Sequence, residues 1–184
     1  MLEFEVEKFQ NDIEKVKTRL TIFLAGPSIK PTEEPVDELV ANKARFKLFK
    51  KISEQGDICT LGEHKELIEN YEEHYKSIAN LAIAELTHVT NGDGVIILPS
   101  SPGSFCELGM FAVSNAVCSK MLILMDQNYK EKPGYPYLGA ASMARIYGAA
   151  LKYVDYEDHA TIWAIVKWFI EDRRIRKLSS RFRI

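Results

Sequence analysis

Val95-Ile96-Ile97-Leu98-Pro99-Ser100-Ser101-Pro102-Gly103-Ser104-Phe105-Cys106-Glu107-Leu108-Gly109 joins a short apolar run to a loop of proline, glycine and serine, and then to a carboxylate. Four apolar residues without alternation fit a strand buried on both faces of a parallel sheet, and the Pro and Gly that follow stop it. From Ser104 the pattern turns helical through about residue 117. A buried strand, a tight loop and a helix in succession make half of a β-α-β unit, so the flanking sequence is expected to repeat the alternation.

It does so on both sides. Thr21-Ile22-Phe23-Leu24-Ala25, closed by Gly26-Pro27-Ser28, reads as a first buried strand. Helical spacing follows over 36–54, Gly56 breaks it, and 57–61 reads as a second strand. A long helix is expected over 63–90, ended by Asn91-Gly92. Residues 120–125 form a fourth apolar run, 126–139 a polar loop rich in Pro, Gly and Tyr, 140–150 a small-residue helix, 151–154 a fifth strand and 157–172 an amphipathic helix. The expected fold is α/β, a doubly wound five-stranded parallel sheet of flavodoxin-like or Rossmann-like type in one domain over 21–172. An N-terminal amphipathic helix in 1–20 would precede it, capping the sheet or serving a dimer interface, and a basic tail over 173–184 would follow.

Composition agrees with one soluble core: 184 residues, 46% hydrophobic and 27% charged. The formal net charge of −2 conceals a division, because six of the 24 basic residues fall in 173–184, which holds no acid. Residues 1–172 therefore carry 18 basic against 26 acidic groups, a net −8. The basic tail is a candidate contact for nucleic acid or a protein regulator, against the plainer alternative of a solvated tail. No apolar run reaches the roughly 18–20 residues of a membrane span, and the acidic N-terminus is unlike a signal peptide, so a cytoplasmic protein without membrane partners is expected. Cys59, Cys106 and Cys118 lack Cys-x-x-Cys spacing, and His64, His74, His88 and His159 lack close pairing, so neither a disulfide framework nor a metal site is expected.

Ligands of open parallel sheets bind beyond the carboxyl ends of the strands, where strand order reverses. That rule selects Gly26-Pro27-Ser28 and the loop of Ser101, Gly103 and Ser104. Free amides at a helix start, with serine hydroxyls beside them, suit a phosphate or sugar hydroxyls, and Gly103 permits close approach. Glu107 is a candidate catalytic carboxylate there, although Ser104 and Glu107 also have capping-box spacing. Glu85 shares a helical stripe with Ile78, Leu81, Ala82 and Val89 and is expected either to face the sheet or to reach water from the helix rim. Asp126 and Asn128, at another carboxyl end, are candidates for binding a sugar here or in a neighbouring subunit. Tyr135 and Tyr137 could stack on a base or belong to a plain surface loop. Asp93 is expected in a turn at the opposite strand end, and Cys106 as a small buried hydrophobe.

Ile22-Phe23-Leu24-Ala25-Gly26-Pro27, followed about 75 residues later by Ser101-Pro102-Gly103-Ser104-Phe105-Cys106-Glu107-Leu108-Gly109, resembles the nucleoside 2-deoxyribosyltransferase superfamily. The resemblance implies a glutamate nucleophile or stabiliser at the anomeric carbon, carried here by Glu107. In the related nucleotide N-hydrolases, a Ser six residues before that Glu and a Gly two after the Ser match Ser101 and Gly103. In those relatives an acidic residue on the preceding helix assists the leaving base, and the resemblance implies that role for Glu85, which falls close to it. Pro99 to Glu107 also resembles the phosphate-binding motif of phosphoribohydrolases, with Ser100-Ser101 in place of Gly-Gly. The fuller Ser-Pro-Gly-Ser-x-x-Glu-Leu-Gly form is most similar to transferase-like effectors of anti-phage systems, including retron effectors. Glu85 stands where the superfamily usually has Asp, and 126–139 has no counterpart. The resemblance implies an N-glycosidase that cleaves NAD or a (deoxy)nucleotide, a toxin-like effector with no cofactor, NAD entering only as substrate. It also implies a homo-oligomer. A nucleotide-sensing module without turnover and a deoxyribosyltransferase are the alternatives.

Overall fold

The five apolar runs form five strands in a computed structural model that describes residues 18–36, 39–64, 81–130, 132, 134 and 138–181. They are β1 (Thr21–Ala25), β2 (Ile58–Thr60), β3 (Gly94–Ile97), β4 (Met121–Asp126) and β5 (Ala150–Val154). All neighbours pair in parallel, in the order β2-β1-β3-β4-β5. This is the doubly wound order of flavodoxin-like folds, whose direction of winding reverses between β1 and β3. The register sets Ala25 opposite Ile97, and the Leu98 amide donates to the Ala25 carbonyl at 3.1 Å. The loops leaving β1 and β3 therefore emerge side by side.

Six helices occur among the described residues: α1 (Val40–Glu54), α2 (Leu81–Asn91), α3 (Pro102–Ala112), α4 (Asn115–Cys118), α5 (Ala140–Ile146) and α6 (His159–Arg181). Strand residues alternate between the two faces, as the two-residue period of a strand dictates. Ile22, Leu24, Ile96, Leu98, Leu122 and Leu124 pack with Ala44, Leu48 and Ile52 of α1 and with Ile162, Val166 and Phe169 of α6. Phe23, Ala25, Val95, Ile97, Ile123 and Met125 pack with Val89 of α2, Leu108 and Phe111 of α3, and Ala140, Ala141 and Ala144 of α5. Alanines on α5 bring its backbone close to the sheet. No helix among the described residues is long and apolar enough to cross a membrane.

Several boundaries differ from those expected. The helix expected from residue 36 begins at Val40, and Val36 and Leu39 are exposed. The helix after β3 begins at Pro102 and breaks at 113–114 before α4. Residues 18–20 form no regular element, and the rest of the expected N-terminal helix lies outside the described residues, as do 65–80 of the long helix and Tyr135 and Tyr137. Cys106 is exposed, not buried, because its position on α3 turns away from the stripe of Leu108 and Phe111.

The basic segment from 173 is no separate tail as far as Arg181, since α6 continues through it. The stripe of Val166 and Ile170 passes at helical spacing into Arg173, Arg174 and Lys177; Arg174 and Lys177 meet acids at the amino ends of the strands, and Arg173 donates to the carbonyls of Asp93 and Ser119. Arg174 Nη2 donates to both oxygens of the buried Asp57, at 3.0 and 2.8 Å. Asp57 Oδ1 also accepts the Leu20 amide at 3.0 Å. Lys177 pairs with Asp93 at 2.7 Å, and Asp93 accepts the Thr21 amide at 2.8 Å. Asp93 is thus a strand-end anchor, far from the carboxyl ends.

Candidate active site

The loop after β3 is organised by serines. Ser101 caps α3, with Pro102 in the first turn, where a missing N–H costs nothing. Ser104 Oγ accepts the amides of Ser100 and Ser101, each at 2.9 Å, and donates to the Ser101 carbonyl at 2.9 Å. Ser101 Oγ accepts the Ser104 amide at 3.3 Å in return. The capping box is therefore Ser101–Ser104, not Ser104–Glu107. Glu107, one turn further on, is released from capping, and its buried Oε2 accepts no hydrogen bond among the described residues.

A second carboxylate meets it. Glu85 on α2 is buried, in accord with its place on the apolar stripe. Both acids approach Gly62, just beyond β2: a Cβ there would lie 2.7 Å from Glu85 Oε1 and 3.9 Å from Glu107 Oε1. A side chain at that position would displace Glu85, so the absence of a Cβ lets the two carboxylates share one corner. Burial, then repulsion by Glu85, pushes the Glu107 carboxyl up to about 8, against the opposing pull of Arg45. Burial, then Glu63, raises Glu85 as well, again opposed by Arg45. The charge of Glu85 is thus one cause of the rise at Glu107, which couples the titration of the second acid to the state of the first.

Arg45, the cation beside them, was not singled out by the sequence reading. It is buried on α1 and forks onto Glu63, with Nη2 at 3.0 Å from Oε2 and Nη1 on Oε1. It also donates to the carbonyls of Leu24 and Pro27, at 2.6 and 2.8 Å. A buried guanidinium is tolerated when its donors are satisfied in this way. The bonds tie the end of β1 to the loop after β2. Gly26, with φ +152°, lets the chain pass the Arg45 side chain, whose Cδ would lie 3.0 Å from a Cβ there. A signal did exist in the sequence: Arg45 falls on the stripe Ala41, Ala44, Leu48 and Ile52, where a charge needs a partner.

These elements enclose a cleft of about 400 Å³ at the switch point, lined by Gly26, Ser28, Arg45, Gly62, Glu63, Glu85, Ser101, Gly103, Ser104 and Glu107, among others. The structure thus brings together seven of the residues singled out from sequence: Gly26, Ser28, Glu85, Ser101, Gly103, Ser104 and Glu107. The hydroxyl of Ser104 is engaged in the cap, whereas the Gly103 amide finds no acceptor among the described residues. Pro27 is buried behind the cleft, with its carbonyl on Arg45. Asp126 and Asn128 are not among the lining residues; Asp126 Oδ1 accepts the Asn128 amide at 2.7 Å and caps its own turn.

The sequence model of the STM3845 retron effector proteins matches residues 41–179, about three-quarters of the chain. The chain belongs to this family. The match runs from the start of α1 almost to the end of α6, so it takes in Arg45, Glu63, Glu85 and the whole Ser101–Glu107 loop of this retron effector. β1 and its Gly26-Pro27-Ser28 turn lie outside the match. None of the curated proteins matches the effector chain.

Proposed function

We propose that the chain is the enzymatic effector of an anti-phage system, an N-glycosidase of nucleoside 2-deoxyribosyltransferase-like type that cleaves NAD or a (deoxy)nucleotide. The single observation carrying this proposal is the pair of carboxylates, Glu85 and Glu107, set against Gly62 in the switch-point cleft. Membership of the retron effector family supports the defence role.

In this mechanism the sugar lies over Gly26 and the Ser101–Ser104 loop. An oxygen of ionised Glu107 attacks the anomeric carbon as the bond to the base breaks, and where the substrate is a nucleotide Glu85 in its acid form gives its proton to the departing base nitrogen. Glu85, now a carboxylate, removes a proton from water, which attacks the same carbon and releases Glu107. With a nucleotide the net proton balance is zero; with NAD the nicotinamide departs neutral, carrying the electron pair of the broken bond, so Glu85 acts only as the base for water and one proton is released to solvent. The raised affinity of both acids for protons supports a state in which the pair holds one proton near neutral pH. Positive charge developing on the sugar draws the ionised form to Glu107, leaving the proton to Glu85.

The test is incubation with NAD and a panel of nucleosides and nucleotides, with products identified by mass. Glu107→Gln is expected to abolish base release and Glu85→Gln to slow it by roughly 10²–10⁴-fold. Undiminished turnover by Glu107→Gln overturns the mechanism.

A further inference from the structure

A second concavity, of about 240 Å³, lies at the opposite end of the sheet, between the turn entering β3, the residue before β4 and the last turns of α6. Lys120, Arg173, Arg176 and Lys177 line it, with Asp93 as the carboxylate among the lining residues. Some of this charge has a structural use. Lys120 donates to the carbonyls of Thr90 and Gly92 at the end of α2, Arg173 to those of Asp93 and Ser119, and Lys177 meets Asp93. Carbonyls satisfy donors without cancelling charge. Burial, then Arg173, holds Lys120 below its ordinary value, and burial, then Arg176, does the same to Arg173, with Asp93 opposing both and Asp172 also opposing the latter. The cations therefore repel one another across a half-buried space. Arg176, largely exposed, bonds Asp172 through Nε at 2.8 Å, and its two Nη atoms find no acceptor among the described residues.

We infer that this cleft binds a phosphate group, held by guanidinium and ammonium donors that the fold leaves short of negative charge. It lies at the amino ends of the strands, remote from the carboxylate pair, and does not depend on the proposed glycosidase chemistry. The phosphate could be carried by a small phosphate ester or by a single-stranded nucleic acid backbone.

The test is calorimetric titration with inorganic pyrophosphate and fluorescence anisotropy with a labelled single-stranded oligonucleotide, using wild type, Arg176→Glu and Glu107→Gln. Wild type is expected to bind pyrophosphate, Arg176→Glu to bind it at least roughly tenfold more weakly, and Glu107→Gln to bind it as wild type does. Tighter oligonucleotide binding that weakens with salt, by a slope of about −0.7 per phosphate neutralised, assigns the backbone as source. Tighter pyrophosphate binding assigns the small ester. Should Arg176→Glu fail to fold, Arg176→Gln supplies the same comparison with a smaller loss. Absence of binding by either probe, or wild-type affinity in the folded Arg176 variant, overturns the inference.

Discussion

Glu107 combines three conditions that raise a carboxyl: burial, a neighbouring acid, and an oxygen without a hydrogen-bond donor. Its stability consequence has a definite sign. Between the ordinary value of 4.5 and about 8, the native state keeps a proton that the unfolded chain has lost, so this group makes stability fall as pH rises across that window. Glu107→Gln removes the dependence. Its urea midpoint should exceed that of wild type above pH 8 and converge with it near pH 4, and identical pH profiles would contradict the raised value. At this scale the carboxylates were readable in the sequence, Glu85 from its stripe and Glu107 from its loop. Glu63 was not, and Arg45 was marked only as a charge on an apolar stripe, because the partner of each lies across a contact between α1 and the loop after β2 that no local spacing encodes. Gly62 was equally silent, since its role is to leave room for side chains distant in sequence.

Among the elements, α3 shows how a cap fixes the candidate carboxylate. Ser104, buried at 1% exposure, holds the amides of Ser100 and Ser101, and so determines where the helix begins and which way Glu107 faces. Ser104→Ala leaves those part-buried donors without their acceptor and should cost about 1–2 kcal/mol in chemical denaturation. A loss below about 0.5 kcal/mol would show that water replaces the hydroxyl. Two spacings competed at this helix start, Ser101 with Ser104 and Ser104 with Glu107. Pro102 favours the earlier start because its ring suits the first helical position, a cue the sequence contained but which the Ser–x–x–Glu pattern obscured.

For the whole molecule, the division between an acidic body and a basic end becomes a means of holding the fold together as far as Arg181. Arg174 reaches the buried Asp57, and Lys177 reaches Asp93, closing the amino edge of the sheet opposite the candidate site. Deleting 173–184 strands the Asp57 carboxylate without its cation and should destabilise the protein by at least about 3 kcal/mol. An unchanged Tm would mean that the body folds without this clasp. The strands, their parallel arrangement and the carboxyl-end location of the candidate site followed from the sequence, because buried runs and punctuating loops are local signals tied to backbone periodicity. The charge division was legible as well, but its physical meaning was not. Which cations remain available and which are bound to buried acids depends on distances between residues more than a hundred positions apart, as for Arg174 and Asp57. Only the tertiary structure sets those distances, and with them it decided that two glutamates meet at Gly62 while the basic end turns back onto the sheet.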